Sequence, residues 1–181
     1  MQKFIPLIFF ILLLNIIAFG THKIANQQYL LQNELPQFSL PLLSDQQKFL
    51  SNNDINNNKY SLLNFFASWC NSCQLEHHLL IELKDNKNIN LYGIAWRDID
   101  QKTKSFLENN GDPYKIVVTD SKNELGKKLN LKGTPESFLI DKSGVIVFHK
   151  RGPLSRSDIN KIKSFTNSHL KMNNMTKYFL R

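Results

Sequence analysis

Phe65-Phe66-Ala67-Ser68-Trp69-Cys70-Asn71-Ser72-Cys73 decides the fold of this 181-residue chain, because it holds both cysteines where a strand pattern gives way to a helical one. Upstream, Tyr60 to Ala67 is almost continuously apolar, as expected of a central strand buried on both faces. Downstream, Gln74 to Lys84 places Leu75, Leu79 and Leu83 at i, i+4 and i+8, so this row is expected to pack on the sheet. Two residues between cysteines in a first helical turn bring the sulfurs within bonding distance. The first sulfur then sits at the positive end of the helix dipole, which can draw a cysteine pKa from ~8.5 toward ~3.5–7.5. A Cys-x-x-Cys pair at such a junction is a redox signal. Cys70 is therefore the expected attacking nucleophile, accessible at the helix start, and Cys73 the resolving thiol.

Three other readings of the pair are weaker, the first of them two unpaired core cysteines, which does not suit an exposed helix start. A structural staple closing so short a loop gains the least stability from its closure. Cys70, Cys73 and His77 have the C-x2-C-x3-H spacing of part of a zinc or copper site, but a closed tetrahedral site needs a fourth ligand and there is no second cysteine pair.

Composition narrows the partners. The 41% hydrophobic content suits one packed domain, and the net charge of +8 comes from Lys and Arg scattered along the chain. That pattern describes a solvated surface with a mild attraction to anionic lipid or acidic partners, and no nucleic-acid-binding motif accompanies it. Phe4 to Gly20 is apolar but for Pro6 and Asn15, so residues 1–21 read as a membrane anchor, or else a signal segment. Either would export the domain. Residues 22–35, rich in Asn and Gln, read as a tether, 36–171 as the domain, and 172–181 as a frayed tail.

Within the domain, Pro36 to Leu40 alternates like a strand and leads toward an Asn-loaded loop, Ser51 to Lys59. Strands are expected over Asn90–Trp96 and Tyr114–Thr119, and helices over Asp100–Asn109 and Asn123–Leu129. Ser137–Ile140 and Val145–His149 flank the turn Asp141-Lys142-Ser143-Gly144 as a hairpin, and Ser155 to Leu170 has a helical apolar pattern. Strands alternating with helices and closing on a hairpin make an α/β fold with a mixed sheet.

The order of these motifs resembles the thioredoxin superfamily, carried by Trp69-Cys70-Asn71-Ser72-Cys73 and, about sixty residues on, Gly133-Thr134-Pro135. The nearer resemblance is to the CcmG/DsbE type of thiol:disulfide interchange protein, which serves cytochrome c maturation. It rests on Ala67 to Cys73 with Glu76-His77, Gly93-Ile94-Ala95-Trp96-Arg97-Asp98, Asn110-Gly111-Asp112-Pro113-Tyr114 and Gly133-Thr134-Pro135-Glu136-Ser137-Phe138-Leu139-Ile140-Asp141. The resemblance implies a thioredoxin fold with an N-terminal strand extension and a central insertion between Trp96 and Tyr114. It also implies a cis bond before Pro135, and a cis X-Pro bond exposes the backbone of Thr134 to pair with an extended client. Trp69 would cover the sulfurs. The implied protein is a monomer on the inner membrane, facing the periplasm. It needs no cofactor, reduces apocytochrome c or another thiol protein of that pathway, and is recharged by a membrane carrier of the DsbD or CcdA kind. A general periplasmic reductase, or a non-catalytic module holding an unfolded haem-binding segment, are the rival readings.

The chain departs from the resemblance between its cysteines, where Asn71-Ser72 stands in place of Pro-Thr. It departs again at Asn64, six positions before Cys70, where many thioredoxins carry a buried aspartate as base. An amide takes no proton at neutral pH. Glu76, three residues after Cys73 on the same helix, and Glu136, directly after Pro135, are the candidates to replace it. Either carboxyl, partly buried beside Trp69, would have its pKa raised toward neutrality. His77, His78 and His149 read as surface residues and Trp96 as half-buried.

Overall fold

The computed structural model describes residues 33–55 and 60–179; the expected anchor or signal segment and residues 22–32 of the tether lie outside the described residues. The longest uninterrupted apolar run becomes the central strand β3 (Tyr60–Phe66), buried at every position. It pairs in parallel with β4 (Ile89–Trp96), which pairs in parallel with β5 (Ile116–Asp120). On its other side it runs antiparallel to β6 (Glu136–Ile140), which pairs antiparallel with β7 (Ile146–Arg151). The five-stranded sheet thus has the order β5-β4-β3-β6-β7 and is mixed, as the strand and hairpin patterns require.

Alternation along β3 divides the core. Leu62 and Phe66 face helices α2 (Asn71–Leu83), α3 (Asp100–Asn110) and α5 (Arg156–Phe179), packing with Leu80, Phe106 and Ile159. Leu63 and Phe65 face the opposite layer, with Leu125 of α4 (Glu124–Lys128) and Ile55 of α1 (Asn52–Ile55). That layer also holds the hairpin of β1 (Ser39–Pro41) and β2 (Phe49–Ser51), of which the sequence pattern showed only the first strand. The side chain of Asn52 fixes the chain before β1, accepting from Phe38 N at 2.8 Å and donating to the carbonyls of Leu35 and Pro36. Leu43 N donates to Val117 O, so the chain between β1 and β2 covers the exposed edge of β5. The helix α3 lies between β4 and β5, within the segment Trp96 to Tyr114.

Two boundaries and one buried helix face differ from the sequence reading. Residues 33–35 belong to the domain rather than the tether, since Leu35 is buried and its N–H meets Gly144 O. α5 runs on through Phe179, because no Gly or Pro interrupts the chain after its Ser155–Asp158 capping box. On α2, Leu79, Leu80 and Leu83 are buried, but Leu75 is 70% exposed. A row of i+4 steps drifts around the helix, and the buried stripe follows Cys73, Glu76, Leu80 and Leu83 instead.

Gly93 on β4 makes one close packing possible. A β-carbon there would lie 2.7 Å from Cδ2 of Tyr114 and 2.9 Å from Cε1 of Phe66, two rings stacked with centroids 5.0 Å apart. Gly93→Ala is expected to destabilise the fold by about 1–3 kcal/mol through overpacking, read as a lowered urea midpoint at unchanged slope.

Candidate active site

The site begins with the turn between β3 and α2. Asp98, just after β4, accepts from Ser68 N at 2.7 Å and from Ser68 Oγ at 2.8 Å, and it also binds Thr103 Oγ1 at 2.8 Å. This fixes the residue two places ahead of Cys70. Trp69 lies over the neighbouring loop, with Nε1 donating to Arg97 O at 3.4 Å and its ring 6.4 Å from that of Trp96, which is half-buried as expected.

Cys70 is the N-cap of α2 in extended conformation. Its Sγ accepts from Cys73 N at 3.1 Å and lies 3.5 Å from Ser72 Oγ. A sulfur capping a thirteen-residue helix receives an N–H and the positive end of the dipole, both of which favour negative charge on it. In the structure the two cysteines form a disulfide, with Cα atoms 5.3 Å apart. Cys70 is only 5% exposed, which corrects the expectation of an accessible sulfur. What opens to solvent is a groove of about 690 Å³ lined by Trp69, Cys70, Ser72, Leu75 and Thr134, with Trp69 itself 56% exposed. Thr134 precedes a cis bond to Pro135, and its buried Oγ1 has no hydrogen-bond partner among the described residues.

Glu76 lies on the buried side of α2, whereas Trp69 is exposed. Its Oε1 accepts from Asn64 Nδ2 at 2.7 Å and its Oε2 from Leu154 N at 2.5 Å. Asn64 also donates to Ser137 Oγ at 2.9 Å and accepts from Tyr114 Oη at 2.6 Å. Burial pushes the Glu76 carboxyl up to about 7. The bonds from Leu154 N and Asn64 oppose the shift, Asp158 adds to it, and Lys150 counters it. Burial likewise holds the Tyr114 phenol well above its usual range, helped by the charges of Glu76 and Asp112.

Glu136 does not lie against the sulfurs, which corrects the second acid–base expectation. On β6 it shares the face of Phe138 and Ile140, opposite to the α2 layer that contains Cys70 and Cys73. There its Oε1 accepts from His149 Nε2 at 2.6 Å and from Arg151 Nε at 3.2 Å, and its Oε2 accepts from Lys132 N at 3.1 Å. Two histidines expected at the surface are buried for related reasons. His149 stacks on Phe138 with centroids 4.4 Å apart, and His77 Nε2 sits 2.8 Å from Gly111 O with its ring edge-on to Phe106. His77 is therefore turned to the insertion, while His78 is exposed as expected. Asp98, Tyr114 and Ser137 were missed as site residues, because their partners lie 30, 50 and 73 positions away and a single sequence carries no signal for such pairs.

Comparison with known proteins agrees with this geometry. The redoxin family profile matches residues 31–164. Over 157 residues the chain is 33% identical to the thiol:disulfide interchange protein DsbE of Allochromatium vinosum, covering 84% of this chain and 85% of that protein. With DsbE of Escherichia coli K12 it shares 34% identity over 126 residues, 70% of this chain and 68% of that one. The structure superposes on a thioredoxin-family thiol:disulfide interchange protein of Chlorobium tepidum TLS with a TM-score of 0.63 at 26% identity, covering 75% of this chain and 96% of the other.

The raised carboxyl has a consequence for stability with a definite sign. Between the ordinary carboxyl range and about 7, the folded chain holds a proton on Glu76 that the unfolded chain has lost, so stability falls as pH rises through that window. Relative to Glu76→Gln, the wild type is expected to lose on the order of 3 kcal/mol between pH ~4.5 and ~7.5, measured by urea unfolding across pH. Parallel curves for the two proteins would refute a neutral, buried Glu76.

Proposed function

Because the chain belongs to the DsbE-type thiol:disulfide interchange proteins of the redoxin family and is a thiol:disulfide oxidoreductase, we propose that Cys70 and Cys73 are its working couple and that it reduces disulfides of client proteins outside the cytoplasm. The observation that carries this reading is the seat of Cys70: a helix-capping sulfur, bonded by Cys73 N, at the floor of a groove walled by Trp69 and Thr134 beside the cis-prolyl bond.

The chemistry follows from that seat. In the reduced protein the Cys70 thiolate attacks one sulfur of a client disulfide. That S–S bond breaks, a Cys70–client mixed disulfide forms, and the departing client sulfur takes a proton from solvent. Cys73 then loses its proton to Glu76, one turn along the same helix, and attacks the Cys70 sulfur. The Cys70–Cys73 disulfide closes, the second client sulfur departs as a thiolate and takes the proton held on Glu76 or one from solvent, and the client leaves with two thiols, two electrons having passed to it. The client lies along the groove as an extended segment pairing with the Thr134 backbone, under the edge of Trp69. Pro135 keeps that backbone turned outward, and Glu136 holds the loop from the far face through Lys132 N. No cofactor is required, because the dithiol itself carries the electrons.

The client class we favour is apocytochrome c, whose C-x-x-C-H segment must be reduced before haem attachment, or a thiol protein of the same maturation route. The kinship with DsbE proteins supports it. The apolar segment Phe4–Gly20 supports attachment to the inner membrane with the domain in the periplasm. A membrane carrier of the DsbD or CcdA kind would then return the oxidised couple to the dithiol, with tethering raising the effective concentration of both partners.

Cys73→Ser in the full chain is expected to accumulate a mixed disulfide whose partner, identified by mass spectrometry, contains a C-x-x-C-H segment, and Cys70→Ser to accumulate none. Glu76→Gln should slow release of that mixed disulfide in the otherwise intact protein by roughly 100-fold. A reduction potential near ~−270 mV fits a reductant, whereas one near ~−120 mV would make the protein an oxidant and overturn the proposed direction.

A further inference from the structure

The two motifs that the exchange chemistry leaves unused, Gly93-Ile94-Ala95-Trp96 and Gly111-Asp112-Pro113-Tyr114, meet at one point. The ring of Tyr114 lies over the bare Cα of Gly93 and stacks on Phe66, which lets its hydroxyl cross β4 and reach β3. There it donates to Asn64 Oδ1 at 2.6 Å, while both donations from Asn64 Nδ2 are spent, on Glu76 Oε1 at 2.7 Å and Ser137 Oγ at 2.9 Å. Tyr114 and Asn64 are both buried, so no bulk water competes for these bonds.

We propose that Tyr114 is a positioning residue: its hydroxyl fixes the Asn64 amide with nitrogen toward Glu76, and so sets the orientation and proton affinity of that carboxyl group. An amide is nearly symmetric in shape, and which end faces Glu76 decides which form of the acid it favours. Nitrogen toward the carboxyl donates to the ionised form; oxygen toward it accepts from the protonated form. Tyr114 favours the first: Asn64 Oδ1 is the one acceptor for its hydroxyl among the described residues, so inverting the amide would leave the phenol proton buried and unpaired. Removing the hydroxyl leaves Oδ1 buried and unpaired, so Nδ2 loses the polarising bond that strengthens its donation to ionised Glu76, and the amide is no longer held against inversion, in which Oδ1 accepts from neutral Glu76; either change favours the protonated carboxyl. The inference rests on the reading of Glu76 as proton acceptor for its catalytic meaning, but not for the effect on the carboxyl itself. Among the described residues the other groups acting on Glu76 are Leu154 N from the loop before α5, Asp158 of α5 and Lys150 of β7, with Cys73 one turn before it on α2, and none of them bonds to the Tyr114 hydroxyl.

The test is the titration of the Glu76 side-chain carbon in full-length, oxidised protein labelled at the glutamate carboxyl, assigned by the signal lost in Glu76→Gln. In Tyr114→Phe, which keeps the ring over Gly93, the midpoint is expected to rise by roughly one unit. With 3-fluorotyrosine at 114, a stronger donor, it is expected to fall. This second substitution keeps every bond, so it reads the effect even where Tyr114→Phe does not fold. An unmoved midpoint in the folded variants, or shifts of the same sign in both, overturns the proposal. A titration that moves as expected, while the pH profile of mixed-disulfide release stays fixed, upholds the role of Tyr114 and overturns Glu76 as the acceptor.

Discussion

A single carboxyl group, buried beneath the helix that carries the cysteines, constrains the rest of the molecule. Removing a carboxyl from water without partners costs several kcal/mol whether it is ionised or neutral, so donors must converge on Glu76. They come from separate parts of the chain: Asn64 on the central strand and Leu154 N at the approach to α5. Asn64 must face α2 to serve, and in a strand that orientation has a period of two. A one-residue slip of β3 against β4 and β6 would turn Asn64 to the other layer and expose Phe65 and Leu63 to the wrong one. The bond from Leu154 similarly sets where the chain re-enters the sheet layer to begin α5, whose Arg156 and Lys163 then pair with Glu82 on α2.

This arrangement separates the two glutamates that sequence spacing treats as equivalents. Glu136 is one residue from Pro135 and Glu76 three from Cys73, and both are almost wholly buried. The sheet lies between them. Glu136 is matched by Arg151, His149 and a loop N–H on the far side, which makes it a strut for the loop that presents Thr134 and Pro135. Glu76 meets only neutral donors in direct contact, and it shares a layer with the cysteines. The partners around each acid, rather than its distance in sequence from a motif residue, decide what it can do.

Much of the fold was legible because it depends on local pattern. The apolar run Tyr60–Phe66, the helical stripe after Cys73, and the Asp141–Gly144 turn, where Asp141 Oδ1 accepts from Ser143 N and Val145 N and Gly144 takes φ 89°, each follow from neighbouring residues. The cysteines, Trp69 and the cis bond at Pro135 came together for the same reason, through a motif order that already implied the fold. What pattern could not show was which polar residues would be enclosed. Asn52, His77 and His149 look like surface residues in sequence, and each is buried against hydrogen-bonding groups 13 or more positions away, Phe38 N, Gly111 O and Glu136 among them. Strand β2 was missed because three residues, Phe49 to Ser51, are too few to display an alternation.

The absence of an aspartate before the cysteines becomes intelligible on the same grounds. Where a thioredoxin of the kind this chain resembles carries its buried acid on the central strand, this chain has Asn64 there and the acid on the helix, with 2.7 Å between the two side chains. Carboxyl groups at both positions would be like charges in contact, able to ionise only one at a time, and the enclosed site would lose its donor to Glu76. An amide at 64 supplies that donor and adds no charge. The site therefore keeps one carboxyl group in the cysteines' layer, moved from strand to helix. The strand position becomes the relay through which the Tyr114 hydroxyl, at the close of the insertion, reaches it.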